Sequence, residues 1–376
     1  MKILHLCDQN WVGMASNFVA AHRRAGHEAR LVTLARCMNE FEEDISLELP
    51  LLRGTPWHMA LKNAMSKLHG GRAKFAREPG SGVPVWTPRS SLERAFFTFR
   101  EETLWKPKIE RAIREHALDT FDLYHLESGV EFYRDARFLK RMKARGAGIV
   151  CYYLGTDLRE RGVIPAVRDV SDLNLTCEWD HLKLDPTLEW FFIPFDVSAY
   201  EFREPPADVL RIAHAPRNRA IKNTEVILAA VERARRRAPM EIDLIEGVSH
   251  AEAIRRKRGA NLLIDQVGDQ GATGYGMNSL EAFAMGIPSM TSMEPEYARF
   301  LGEHPFLLAR PETLEDQLVE LAKNPVRLRE HARRGREWVL RVHGADQVAQ
   351  KLYARYRELG WVDAAGEWIP STRRAA

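Results

Sequence analysis

Three observations predict an α/β protein built on two doubly wound parallel sheets. Short apolar runs of strand length alternate with amphipathic helical stretches through most of the chain, the pattern of parallel strands joined by crossover helices. The alternation pauses at a Pro-containing stretch from Ile193 to Pro206 and then restarts, which marks a domain boundary. The chain has 376 residues, enough for two domains of ordinary size, each with its own core.

In the first half the expected strands are Ile3 to Cys7, Ala29 to Leu34, Leu123 to Leu126, Ile149 to Leu154 and Leu173 to Thr176, and Met14 to Ala25 reads as the first crossover helix. In the second half they are Leu210 to His214, Ile242 to Ile245, Asn261 to Ile264 and Pro288 to Thr291. Asn223 precedes the helical run TEVILAAVERARRR, and Ser249 with Glu252 reads as a capping box before AIRRKR. Val348, Leu352, Tyr356 and Leu359 recur at helical spacing, so the last helix should bury one face. The expected organisation is a first domain over 1–195 with a basic insertion at about 53–115, a second over 206–344, and a final helix and tail over 345–376.

Composition excludes several classes. Apolar content is ordinary, no run is long enough to cross a bilayer, and the start MKILHLCDQNW reads as a strand rather than a signal peptide, so a cytoplasmic protein is expected. Cys7, Cys37, Cys151 and Cys177 lack paired spacing and read as reduced thiols. Absence of an Asp-x-Asp pair, a His-Glu-x-x-His helix or clustered cysteines argues against metal catalysis, and absence of a Gly-x-Ser-x-Gly elbow against a Ser hydrolase. The net charge is only +3, yet Arg53, Lys62, Lys67, Arg72, Lys74, Arg77, Arg89, Arg94 and Arg100 face only Glu78 and Glu93 within their stretch. Aromatic and apolar residues are interleaved there. The stretch reads either as a solvated insertion packed on its own domain or as a peripheral contact with a membrane or an anionic, lipid-linked acceptor. No nucleic-acid recognition motif accompanies it, and no nucleic-acid partner is expected.

The segment GATGYGMNSLEAFAMGIPSMT, from Gly271 to Thr291, is the most informative. Gly271, Gly274 and Gly276 let backbone N–H groups approach an anion, and the helix that follows adds the positive end of its dipole. Glu281, a helical turn further in, is a carboxylate able to hold a diol such as a ribose. The same stretch also reads as a helix packed on a sheet, with Leu280, Phe283 and Ala284 buried. Upstream, His214-Ala-Pro-Arg-Asn-Arg-Ala-Ile-Lys222 follows the second domain's first strand and precedes a helix, a place where ligands bind in such sheets. Without the Gly-rich segment downstream it would read as a solvated basic loop.

These motifs resemble the family 4 retaining glycosyltransferases of glycosyltransferase B fold, whose signature is two glutamates eight positions apart around a phosphate-binding loop. The resemblance extends over most of the chain. It implies two Rossmann-like domains facing across a cleft, with the last helix crossing back onto the first domain. It also implies metal-independent transfer of a sugar from a nucleotide-diphosphate donor to an acceptor hydroxyl, with retention of configuration, as in cell-surface polysaccharide or glycolipid synthesis. No cofactor is implied beyond the donor substrate. Glu281 matches the second glutamate, while the first falls on Thr273. Arg217 and Lys222 match the pair that neutralises the diphosphate, with Arg219 able to share that role. The resemblance places Thr273, Gly274, Tyr275, Gly276, Met277 and Asn278 on the donor, and Gly13 in the turn after the first strand, where the family has a glycine pair. His125 resembles a histidine common at that strand end, and Asp157 with Arg159 fits a loop facing the sugar, where Leu154 replaces a frequent histidine. A buried structural histidine and a surface Asp157–Arg159 pair are the competing readings. A sugar-nucleotide epimerase of the same architecture, or a non-catalytic scaffold that kept the fold, remain as alternatives.

Overall fold

A computed structural model describes residues 1–37, 41–52, 82–88, 90–205, 209–268 and 274–370. Thr273, Gly271 and most of the basic stretch, residues 53–81 and 89, lie outside the described residues. The chain divides into two compact units, Met1–Phe192 together with the chain from Ala349 onward, and Ile193–Val348.

The first unit is built on a seven-stranded, all-parallel sheet. Its strands are β1 (Lys2–Cys7), β2 (Glu28–Thr33), β3 (Ile45–Ser46), β4 (Leu123–Glu127), β5 (Gly148–Tyr153), β6 (Leu173–Thr176) and β7 (Glu189–Trp190). They lie in the order β3-β2-β1-β4-β5-β6-β7. The central strands are buried along their length, as parallel strands covered on both faces must be. The chain moves outward from β1 to β3 and then returns to place β4 on the other side of β1. That reversal makes a switch point, and the carboxyl ends of β1 and β4 flank it.

The second unit repeats the plan with β8 (Leu210–His214), β9 (Met240–Leu244), β10 (Leu262–Gln266), β11 (Ser289–Thr291) and β12 (Leu307–Leu308), all parallel in the order β12-β11-β10-β8-β9. Its switch point falls between β8 and β10. Every strand expected from the sequence is present. β9 begins two residues earlier than its apolar run, because it is an edge strand with only Met240 buried. The two-residue strands β3, β7 and β12 are too short to leave a periodic signal.

The helix Met277–Met285 is buried on all sides from Ser279 onward. It packs so closely on the helix Pro325–His343 that a Cβ on Gly335 would lie 2.4 Å from the Phe283 ring. Gly286 ends it in the left-handed conformation (φ 81°), the stop expected from its sequence. The segment after Ile193 belongs to this unit: Phe195 and Ala345 bond as neighbouring backbone (Phe195 N–H to His343 O, 2.7 Å; Ala345 N–H to Phe195 O, 3.1 Å), and Arg336 donates to the Val197, Tyr200 and Ala284 carbonyls. The Ala345–Glu358 helix is continuous, and from Ala349 it packs with the first unit.

Candidate functional site

Two loops meet at the second unit's switch point. After β8, Asn218 caps a single helical turn, Arg219–Lys222, by accepting from the Ala220 and Ile221 N–H groups (3.0 and 3.3 Å). That turn ends at Asn223, held at φ 55°, before the helix Thr224–Ala234 begins. The short turn points Lys222 inward. Its ammonium donates to Asp265 Oδ1 at 2.6 Å and Gln266 Oε1 at 3.2 Å, at the end of β10. The other oxygen of Asp265 accepts from the Gly276 N–H (3.0 Å) and from Ser279 Oγ (2.7 Å). Burial alone would raise the pKa of Asp265; Lys222, Ser279 and the Gly276 N–H outweigh it and leave the carboxyl below its ordinary range.

The Gly-rich loop enters this arrangement in two different conformations. Gly274 has φ 73°, and a Cβ there would lie 2.2 Å from the Tyr297 ring, so only glycine fits. Gly276 is extended (φ −133°) and precedes the helix Met277–Met285 without a side-chain cap of its own. The N–H groups of Met277 and Asn278 come before any intrahelical acceptor, the disposition that receives anions at helix starts.

Glu281 is buried in this helix, with Lys257 Nζ at 2.5 Å from one oxygen and His250 Nε2 at 2.8 Å from the other. Burial works against its ionisation, yet His250 and Lys257 hold its pKa below the ordinary value. Two hydrogen bonds leave a carboxylate with acceptor capacity for a diol. Lys257, itself 2% exposed, also donates to Asn278 Oδ1 at 2.5 Å, and Asn278 Nδ2 donates to Ala215 O at 2.9 Å. The helix start is thereby tied to the loop after β8. His214 Nδ1 faces the Ile264 carbonyl (2.7 Å) and so carries the proton, leaving Nε2 to accept from Thr224 Oγ1 (2.9 Å).

The structure brings Lys222, Gly274, Gly276, Met277, Asn278 and Glu281 together around this switch point, with Arg217 exposed on the same loop as Lys222. Arg219 does not join them: it reaches outward to Glu246 (2.7 Å) and Glu225 (2.8 Å). The Tyr275 side chain is engaged away from Lys222 and Asp265, bonding His343 Nε2 (2.9 Å) and stacking on Phe306. Asp265, Lys257 and His250 are the partners that sequence reasoning missed. The interactions are long-range in sequence and no local pattern announces them; a charged residue ending the apolar run LLID was the one available signal for Asp265.

In the first unit, Gly13 (φ 71°) leads into the helix Met14–Arg24, and a Cβ there would meet the Phe41 ring at 3.0 Å. Asp157 closes its own loop by accepting from the Leu154 and Leu158 N–H groups, both at 2.8 Å. Arg159 pairs with Glu178 and Asp180, not with Asp157 as the surface-pair reading had it. His125 lies within β4, fully buried, its Nε2 bonded to Tyr356 OH at 2.5 Å and its ring packed on His5. Burial pushes its pKa down to about 3. This placement favours the structural reading of His125 over the catalytic one, because an imidazole closed in by Tyr356 and the sheet has no approach for a substrate proton.

The two parallel sheets, each with its switch point, are those of the glycosyltransferase B fold. Crystal structures of Anabaena HepE in complex with UDP and glucose, with UDP, and with UDP-glucose superpose with TM-scores of 0.53, 0.53 and 0.50 at 10%, 12% and 11% identity, covering 95% of this chain and 100% of HepE in each case. The glycosyl transferase-like family model matches residues 242–354, which contain the Gly-rich loop and Glu281. No curated protein matches by sequence.

Proposed function

We propose that the chain is a glycosyltransferase that moves a sugar from a nucleotide-diphosphate donor to an acceptor hydroxyl, with retention of configuration and without a metal ion. The observation that carries this reading is the convergence of Lys222, the helix start at Gly276–Asn278 and Glu281 on one switch point. In this reading Arg217 and Lys222 take the diphosphate, the loop N–H groups cradle it, and Glu281 holds the ribose. The bond between the sugar carbon and the diphosphate oxygen breaks while the acceptor oxygen bonds to the same face, and the acceptor proton passes to the departing diphosphate. Growing charge on the diphosphate meets Lys222 and the helix dipole, where electrostatic help counts most.

HepE, alike in fold, binds UDP and UDP-glucose, which makes UDP-sugars the first donors to test. A peripheral membrane acceptor is part of the proposal. Leu92, Ala95, Phe96 and Phe99 lie along one face of the helix Ser91–Phe99 and are exposed, and that helix lies in the last part of the basic stretch. No helix among the described residues is long and apolar enough to cross a membrane.

The test is a thermal-shift panel with UDP, GDP, ADP and their sugar conjugates. Ligand at a hundredfold excess over its Kd stabilises the folded state by roughly 2.7 kcal/mol. UDP and UDP-glucose should raise the melting temperature, and Glu281→Ala should weaken the shift. No response to any nucleotide would sink the proposal.

A further inference from the structure

Among the described residues, Asp265 is an acidic group at the switch point that the donor reading leaves without a role. Its side chain is completely buried, and Lys222 is 17% exposed beside it. One carboxylate oxygen takes the Lys222 ammonium; the other takes the Gly276 N–H and the Ser279 hydroxyl, and Ser279 Oγ accepts in turn from Ser289 Oγ at 2.9 Å. Gly276 has no side chain to cap the helix it precedes, so a carboxylate from β10 does so instead. An ammonium has three donors. Asp265 and Gln266 use two, which leaves one for a ligand and fixes its direction. The same carboxylate sets a permanent negative charge where the helix dipole and Lys222 would otherwise hold an anion unopposed.

Resting on the donor reading above, we propose that Asp265 is a positioning residue. It aims Lys222 at the diphosphate and, as a built-in counter-anion, keeps the nucleotide product from binding too tightly to leave. The two effects separate in measurement. Removing the charge raises the site's net charge by one, so anion affinity rises and depends more steeply on salt, whereas a purely structural residue would lower affinity and stability together. At the separations of a loop site in a partly screened medium, one unit charge changes binding of an anion by about fivefold.

The experiment measures binding of inorganic diphosphate, and separately of UDP, to the full chain and to Asp265→Asn, Lys222→Met and the double variant, by calorimetry at two salt concentrations with melting temperatures alongside. Asp265→Asn should bind diphosphate about fivefold tighter than the parent, with a steeper salt dependence. Lys222→Met, which strands a buried carboxylate, should melt lowest of the set, and the double variant should recover much of that loss. Equal or weaker diphosphate binding by Asp265→Asn would overturn the proposal, as would a parent that binds no diphosphate. If Asp265→Asn fails to fold, the melting temperatures decide: a double variant no more stable than Lys222→Met overturns it. UDP binding no tighter than diphosphate would sink the nucleotide reading and leave the Asp265 result standing.

Discussion

Replacing Gly274 and Gly276 by alanine, one at a time, separates two demands that the sequence presents as one. At Gly274 the backbone is left-handed, which costs an alanine roughly 1–2 kcal/mol. Its methyl carbon would also sit 2.2 and 2.7 Å from two ring atoms of Tyr297, which is 3% exposed and lies parallel to Tyr275 at 6.2 Å. A rigid, buried ring relieves such overlap only by shifting its neighbours, and overpacking of this kind costs roughly 1–3 kcal/mol. Gly274→Ala is therefore expected to lose roughly 2–5 kcal/mol, a fall of about 5–15 °C in the unfolding transition of a unit this size. At Gly276 the backbone is extended, and the nearest atom to an added Cβ is Asp265 Oδ2 at 3.9 Å. Stability should change by less than about 1 kcal/mol there. That methyl group would stand among the N–H groups offered to the diphosphate, so UDP affinity should fall about tenfold, the worth of one charge-assisted hydrogen bond. Differential scanning calorimetry and UDP titration on both variants read the two effects independently. A Gly274→Ala protein that melts within about 2 °C of the parent, or a Gly276→Ala protein destabilised to the same degree as Gly274→Ala, would refute the reasoning.

Glu281→Gln should destabilise the second unit by about 2–4 kcal/mol at neutral pH, because Lys257 is left buried without its counter-charge. The Glu281 pKa is depressed in the folded state, so its contribution is present above the ordinary carboxylate range and is lost as pH falls through the folded value. Melting curves of parent and variant should converge on acidification, and a gap that widens would contradict the assignment. His5, His22 and His125 act in the same sense but at higher pH: burial keeps all three neutral, so the unfolded chain takes up their protons first and the first unit loses stability as pH drops below the ordinary histidine value of 6.5. His125→Gln should reduce that acid slope by about one proton while leaving the UDP-induced shift intact; loss of the shift would restore His125 as a site residue. Leu92→Asp with Phe96→Asp should lower binding to vesicles containing anionic lipid by about tenfold or more, and a parent that ignores such vesicles would remove the membrane contact from the proposal.

What the sequence disclosed and what it hid follow from the range of the interactions involved. Strands such as Ile149 to Leu154 were legible because a parallel strand buried on both faces must be a continuous apolar run, and the helix ending at Gly286 because its stop is written in the residue that tolerates φ > 0. Local signals also misled where a side chain had a stronger distant partner. Ser249 does accept from the Glu252 N–H at 3.3 Å, yet the Glu252 carboxylate turns to Arg255 at 2.5 and 2.6 Å, which gives only half of a capping box. Arg219 shows the same competition, its charge drawn outward by Glu246 from a different strand end. At the candidate site the residues that face a ligand lie on two short segments with recognisable spacing, whereas those that hold them, Asp265 for Lys222 and Lys257 with His250 for Glu281, are supplied by elements 24 to 43 residues away. A switch point collects the ends of strands adjacent in space but separated in sequence by whole crossover units. The groups that orient a site there are therefore the ones a linear reading is least able to find.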